Sequence, residues 1–121
     1  VVMIDDSIVR GTTSRKIVEM LRLAGAKEVH MRISSPPVKY PCYFGIDTPS
    51  QKHLIGAVHP VEKIRQIIGA DSLEYLDMSD LLKTVEGSSC GFCLGCFNGN
   101  YPMEVENVGN KCRFEKRQEE A

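Results

Sequence analysis

The sequence lacks the features that direct a protein to a membrane or to nucleic acid. Its formal net charge is −1 over 121 residues, so no global field attracts it to a polyanion. Its apolar runs are only a few residues long, too short to span a bilayer. No basic and apolar leader segment is present. We therefore expect a cytoplasmic protein with neither nucleic-acid nor membrane partners.

Two common phosphate-binding motifs are also missing. The sequence contains no Gly-Lys-Ser/Thr of a Walker loop and no G-x-G-x-x-G of a dinucleotide site. A leading Met is absent too, and the chain opens on Val1-Val2-Met3-Ile4, a pattern typical of a buried strand. We expect from this opening that the natural chain begins further upstream.

Hydrophobic periodicity predicts one modest α/β domain with a mostly parallel sheet flanked by helices. The helix after the first strand has its apolar residues at Ile17, Met20, Leu21 and Ala24. Thr48 to Gln51 has the form of a capping box, and Ser79 is the predicted cap of the last helix. The predicted elements are strands over 1–4, 28–34 and 72–76 and helices over about 13–24, 49–57, 61–68 and 79–85.

The character of the chain changes near Glu86. We predict a packed domain over 1–86, a cysteine-rich segment over 87–103 that is rich in Gly and Asn, and a polar tail over 104–121.

The most informative stretch runs from Val1 to Thr13. A strand ends in Asp5-Asp6, a loop with Gly11 and several hydroxyls follows, and a helix begins. Ligands of open α/β sheets bind at the carboxyl ends of strands, and a helix N-terminus offers unsatisfied N–H donors to a phosphate. Carboxylates next to a phosphate need another partner, such as sugar hydroxyls or Mg²⁺. A ribose 5-phosphate with a diphosphate at C1 offers all of these groups.

Cysteines are the second notable feature. Three of the five cysteines, Cys90, Cys93 and Cys96, fall within seven residues, whereas Cys42 and Cys112 lie apart. The C-x₂-C-x₂-C spacing indicates metal or cluster ligation, and with Cys42 the chain could supply four sulfurs. Four sulfur ligands suit both a zinc ion in a Cys₄ site and an iron–sulfur cluster.

Several motifs together resemble one family. The stretch from Asp5 to Thr13 resembles the phosphoribosyl pyrophosphate (PRPP) signature of type I phosphoribosyltransferases, and its fuller form is similar to that of the glutamine PRPP amidotransferases. The resemblance covers roughly residues 1–103. It continues through Ser34 to Pro37, Tyr43 to Ser50, and Glu62 to Leu73.

The resemblance implies roles for particular residues. In that family the acidic pair binds the ribose hydroxyls and contributes to a Mg²⁺ site, which places Asp5 and Asp6 in both roles. The following loop binds the 5-phosphate, and purine nucleotides enter the same pocket as inhibitors. The implied PRPP- and nucleotide-binding residues are Asp5, Asp6, Ser7, Arg10, Gly11, Thr12 and Thr13; no side chain of this chain is implied to be a catalytic nucleophile.

The resemblance also suggests a cluster. One subgroup of the family carries a [4Fe–4S] cluster, and its ligand positions match Cys42, Cys93 and Cys96. The fourth family ligand lies outside this chain. This choice leaves Cys90 as a neighbour, although spacing alone selects it, and Cys112 is expected to be incidental. Tyr43 and Phe44 are expected to shield the cluster.

The implied activity is transfer of glutamine-derived ammonia to C1 of PRPP, the first committed step of purine synthesis. The chain would be a C-terminal fragment that supplies the PRPP-binding part, is inactive alone and depends on a missing N-terminal glutaminase domain. The full-length enzyme would be a homo-oligomer. A base phosphoribosyltransferase, or a nucleotide-binding regulatory module with a structural metal site, remains the alternative.

Overall fold

A computed structural model describes residues 1–105 of the chain. Short strands alternate with helices over the first 83 residues, and a cysteine-rich segment follows. The elements are β1 (Val2–Asp5), α1 (Thr12–Leu23), β2 (His30–Ile33), a 3₁₀ turn (Gln51–His53), α2 (Ile55–Val58), α3 (Val61–Ile68), β3 (Ser72–Tyr75), α4 (Met78–Lys83) and α5 (Gly95–Asn98).

The three strands form one parallel sheet in the order β1-β2-β3. Asp5 of β1 lies beside Ile33 of β2, and Ile33 lies beside Tyr75 of β3. The carboxyl ends of all three strands therefore meet at one edge of the sheet, where open α/β folds bind ligands. The predicted α/β class, with a parallel sheet flanked by helices, is confirmed.

Helices α1 and α3 cover one face of this sheet. Met31 and Leu73 contribute the sheet side of the core, and Ile64 and Ile68 of α3 have no exposed surface. The predicted bounds and apolar face of α3 are confirmed, and Gly69 ends the helix with a φ of 76°. Full burial of one such aliphatic side chain contributes about 1.5–3 kcal/mol to folding.

The predicted apolar face of α1 is partly wrong. Met20 is 60% exposed, and the helix instead buries Ser14 and Val18, with Leu21 packed at the edge of the core. Ser14, Val18 and Leu21 are spaced by four and three residues and share one helical face. Because Ser14 is polar, apolar periodicity alone does not reveal this buried face.

Both predicted helix caps are wrong. No side chain caps the turn over 51–53 or the helix α2, and the Thr48 hydroxyl accepts a hydrogen bond from the Cys42 amide instead. Helix α4 begins one residue before the proposed cap Ser79, with Asp77 at its N-cap position and no side-chain cap. The single predicted helix over 49–57 is a 3₁₀ turn followed by one turn of α-helix.

The last segment of the described chain contains one short helix that the sequence did not predict. Helix α5 lies within the predicted cysteine-rich segment, and Gly99 ends it with a φ of 79°. The predicted boundaries at residues 86 and 103 stay predictions. Residues 106–121, with Cys112 and most of the predicted polar tail, lie outside the described residues. Among residues 1–105, no helix has the length and apolar character needed to cross a membrane.

Asp71 connects α1, β2 and β3 just before the third strand begins. Its carboxylate accepts hydrogen bonds from the Val29 amide at 2.6 Å and from Arg22 at 2.8 Å. Arg22 also donates to the Gly69 carbonyl at 2.9 Å. The Val29 hydrogen bond is the main cause that lowers the pKa of Asp71, and Arg22 lowers it further.

We predict that Asp71→Asn destabilises the fold in a pH-dependent way. A carboxyl whose pKa is lower in the folded state stabilises the fold above its unfolded pKa of about 4, and this stabilisation is lost as the pH falls. In urea titrations, the variant should unfold at lower urea than the wild type near neutral pH, and the difference should shrink below about pH 4.

Asp80→Asn is the matched control, because Asp80 forms only an exposed pair with Lys83. It should leave the urea midpoint almost unchanged. A pH-independent difference between wild type and Asp71→Asn would show that the charge of Asp71 does not stabilise the fold.

Candidate functional site

A cavity of about 990 Å³ opens at the carboxyl end of β1. One wall is the continuous stretch 5–14, which includes every residue predicted to bind PRPP. The other wall comes from residues 47–53. The cavity residues that carry polar side chains are Asp5, Asp6, Ser7, Arg10, Thr12, Thr13, Ser14, Asp47, Thr48, Ser50, Lys52 and His53.

The acidic pair lies where the strand ends. Asp5 is the last residue of β1, and its carboxylate accepts a hydrogen bond from the Asp6 amide at 3.0 Å. Asp6 in turn accepts one from the Ser7 hydroxyl at 2.8 Å. Within residues 1–105 neither carboxylate forms an ion pair. Both can therefore accept hydrogen bonds from a diol or bind a cation without breaking a salt bridge.

Gly11 lets the loop turn into α1. Its φ is 79°, and a β-carbon at this position would lie 2.7 Å from Cδ1 of Ile55. Any other residue would meet backbone strain of about 1–2 kcal/mol in addition to this contact. The N-terminus of α1 has no side-chain cap and no acidic residue in its first turn. Its amides, together with the exposed hydroxyls of Thr12 and Thr13, suit a phosphate.

The second wall of the cavity was not predicted from the sequence. The Ile55 amide donates a hydrogen bond to the Val9 carbonyl at 2.9 Å, which brings the segment before α2 against the phosphate loop. Lys52 and His53 then line the cavity. Because His53 matches no ligand spacing, the sequence alone indicates only a surface or packing role for it. Residues 47–50 belong to the motif from Tyr43 to Ser50, but only tertiary packing places this wall beside the loop.

The charges around the cavity are mixed. Three carboxylates, those of Asp5, Asp6 and Asp47, line it together with the cationic side chains of Arg10 and Lys52. A ligand with several phosphate charges would meet repulsion from the acidic side unless a divalent cation accompanied it. Carboxylate oxygens are ligands that Mg²⁺ prefers, so the donors of Asp5 and Asp6 fit this ion.

The structure brings Cys42 and Cys93 near Cys96. Burial raises the pKa of the Cys96 thiol, and the neighbouring Cys42 and Cys93 raise it further. The Phe44 amide lies 3.4 Å from Sγ of Cys42, as a donor to that sulfur. Cys90 is exposed, and its Sγ is 3.2 Å from the Ser88 hydroxyl.

Backbone contacts hold α5 and its cysteine against the loop around residue 40. The amides of Lys39 and Tyr40 both donate to the Cys96 carbonyl, at 2.9 and 3.0 Å. The Tyr101 hydroxyl donates to the Pro41 carbonyl at 2.7 Å. Gly95 allows this packing, because a β-carbon there would lie 2.5 Å from the Tyr101 ring.

Three aromatic rings pack together in the segments that carry the cysteines. Tyr43 packs edge-on against Tyr101 with ring centroids 5.3 Å apart, and Phe44 lies 6.1 Å from the same ring. In residues 1–105, no three His, Cys, Asp or Glu side chains form a group that could hold one metal ion. A cluster contacts its thiolates through several separate irons, so its ligands stand further apart than those of one ion. The three thiols match a cluster in donor chemistry.

Known proteins resemble this chain closely over part of their length. The chain is 59% identical to the amidophosphoribosyltransferase of Bacillus subtilis over 109 residues, which covers 87% of this chain and 23% of that protein. It is 56% identical to the amidophosphoribosyltransferase of Archaeoglobus fulgidus over 114 residues, which covers 93% of this chain and 25% of that protein. No protein-family model matches the chain.

Solved structures agree with these relatives. The fold matches the glutamine PRPP amidotransferase of B. subtilis, complexed with ADP and GMP, with a TM-score of 0.79 and 57% identity. A structure of the allosteric regulatory enzyme of purine biosynthesis matches with the same TM-score and 55% identity. Each match covers 88% of this chain and 24% of the solved one. The chain thus spans about a quarter of the length of its relatives. These matches confirm the resemblance expected from the motifs: the chain is similar to one segment of the amidophosphoribosyltransferases.

Proposed function

We propose that this chain is the PRPP-binding part of an amidophosphoribosyltransferase, which transfers glutamine-derived ammonia to C1 of PRPP. The observation that carries the proposal is the cavity at the carboxyl end of β1. It combines an acidic pair, free of salt bridges within residues 1–105, with an uncapped helix N-terminus on one continuous wall. The relatives are named amidophosphoribosyltransferases, which favours this activity over that of a base phosphoribosyltransferase.

PRPP fits this wall in one orientation. The amides and hydroxyls from Ser7 to Thr13 bind the 5-phosphate at the start of α1. Asp5 and Asp6, which directly precede this loop, accept hydrogen bonds from the ribose hydroxyls. Arg10 lines the cavity and adds a positive charge for the phosphate or the diphosphate. The carboxylate–hydroxyl and amide–phosphate contacts together fix the direction of the sugar.

The proposed reaction exchanges one bond at C1. The C1–O bond to the diphosphate breaks, the oxygen keeps the electron pair, and ammonia forms the new C1–N bond and then loses a proton. The products are 5-phosphoribosylamine and pyrophosphate, and the ammonia comes from hydrolysis of glutamine to glutamate. No side chain of this chain acts as a nucleophile. Asp5, Asp6 and the loop hold the ribose still while positive charge develops at its ring.

Asp5 and Asp6 would also hold Mg²⁺, which neutralises the leaving diphosphate when it is bound. The two carboxylates are adjacent at the end of β1 and have no ion-pair partner in the described part of the chain. A bare polyanion beside these two adjacent carboxylates would meet repulsion, and this supports a requirement for the cation.

Other parts of the full-length enzyme would supply the remaining functions. Glutamine hydrolysis belongs to a glutaminase domain outside this chain, so the chain alone is inactive. Purine nucleotides would inhibit by entering the same cavity, an idea that the complex of the B. subtilis enzyme with ADP and GMP supports. We further propose a homo-oligomer in the cytoplasm, although a relative from Vigna aconitifolia is named as chloroplastic.

We also propose a [4Fe–4S] cluster held by Cys42, Cys93 and Cys96, with its fourth ligand outside this chain. Cys42 and Cys93 both lie near enough to Cys96 to raise the pKa of its thiol, which supports a shared site. Such a cluster would join α5 to the loop around residue 40, so its binding free energy would stabilise the fold.

Substitution of the acidic pair tests the PRPP site. In the full-length enzyme, Asp5→Asn and Asp6→Asn should each raise the KM for PRPP about 10- to 100-fold and weaken its Mg²⁺ dependence, because a charged hydrogen bond and a cation ligand are lost. Steady-state kinetics at several Mg²⁺ concentrations measure this. Asp80→Asn, on the outer surface of α4, should behave as the wild type.

The proposed PRPP site would be wrong if both Asn variants bound PRPP as the wild type does while Mg²⁺ still strengthened binding. The acidic pair would then serve only to shape the loop.

Iron analysis tests the proposed ligand set. After anaerobic purification, Cys42→Ser should lose most of its iron and its visible absorption, because one of the cluster thiolates is gone. Cys90→Ser is the control and should keep both, since Cys90 is exposed and lies beside Ser88. Zinc instead of iron in the wild type, or iron loss in Cys90→Ser alone, would contradict the assignment.

A further inference from the structure

One hydrogen bond joins the cysteine site to the cavity. The Cys42 amide donates to Oγ1 of Thr48 at 2.7 Å, and this contact is partly buried. Thr48 is itself only 8% exposed and belongs to the second wall of the cavity. A single side chain therefore contacts the backbone of a cysteine loop on one side and lines the ligand cavity on the other.

The cysteine end of this connection is fixed by three further hydrogen bonds. Lys39 and Tyr40 donate to the Cys96 carbonyl, and Tyr101 donates to the Pro41 carbonyl. These contacts lie within three residues of Cys42 along the chain. A displacement of α5 would therefore also move the Cys42 amide, which donates to Thr48.

The far end of the second wall is anchored to the phosphate loop. Leu54 has no exposed surface, and the Ile55 amide donates to the Val9 carbonyl at 2.9 Å. Lys52 and His53 lie between these anchors, are exposed and line the cavity. The wall over 48–55 is therefore fixed at its two ends, by Thr48 and by Ile55.

We infer that Thr48 is a positioning residue, which sets the second wall of the cavity relative to the phosphate loop by its hydrogen bond to the Cys42 amide. Its hydroxyl does not need to touch the ligand. Loss of the hydroxyl removes an anchor at this end of the wall, so the 49–53 segment samples more positions and binds a ligand less well. The inference rests on the proposed function for its kinetic consequence, but its structural part stands without it.

Three variants of the full-length enzyme test the role of Thr48. Thr48→Val keeps the size of the side chain and removes the hydroxyl, whereas Thr48→Ser keeps the hydroxyl. Thr84→Val is the control, because Thr84 lies just after α4 and its exposed hydroxyl donates to the Leu81 carbonyl of that helix. The measurements are KM and kcat with PRPP, the Kd of GMP, the iron content, and hydrogen exchange of the amides over 50–54.

Thr48→Val should raise the KM for PRPP and the Kd of GMP about tenfold, the loss expected for one hydrogen bond. It should leave kcat and iron content within about twofold of wild type. Exchange over 50–54 should become about tenfold faster. Thr48→Ser should restore all of these values, and Thr84→Val should change none of them.

Unchanged exchange over 50–54 in Thr48→Val would overturn the inference, since the wall would then be held without the hydroxyl. Equal defects in Thr48→Ser and Thr48→Val would also overturn it, because the methyl group would be the cause. Failure of the proposed function has a different signature: the wild type itself would bind neither PRPP nor GMP, while the exchange measurement would still decide the role of Thr48.

Discussion

The close contact between Ile55 and the phosphate loop is the constraint on which the site depends. The Ile55 amide binds the Val9 carbonyl, and the Ile55 side chain occupies the space that a β-carbon on Gly11 would need. This contact brings together two segments that are about 45 residues apart in the sequence. Without it the carboxyl end of β1 would be an open loop, and the residues over 47–53 would not form a wall. The cavity is thus a product of tertiary packing as much as of the motif.

Sequence reasoning found the parts of this site that are local. The acidic pair, the hydroxyls and Gly11 lie on one strand, one loop and one helix N-terminus, so their proximity follows from covalent connection. The bounds of α3 were equally predictable, because Ile64 and Ile68 repeat at helical spacing and Gly69 provides the left-handed turn that ends the helix. The parallel sheet follows from the alternation of strands and helices.

The errors also have physical causes. The prediction of a capping box at Thr48 was wrong because the Thr48 hydroxyl accepts a hydrogen bond from the Cys42 amide. No sequence pattern indicates this tertiary contact. The face of α1 was misjudged because a buried serine replaced an apolar residue in the stripe, while Met20 faced solvent. Lys52 and His53 were missed because the cavity wall forms only when α2 packs against the phosphate loop. Long-range contacts therefore decided the role of Thr48 and the second wall, whereas the error on α1 came from a polar residue within its buried face.

The central claim is that the turn after β1 binds a sugar phosphate with its amides while the acidic pair holds the ribose. A crystal structure of the full-length enzyme with Mg²⁺ and a non-reacting PRPP analogue tests it most directly. The account predicts the 5-phosphate within about 3 Å of the amides at the start of α1, and the ribose hydroxyls at a similar distance from Asp5 and Asp6. An analogue bound elsewhere, or with its phosphate remote from this turn, would contradict the account.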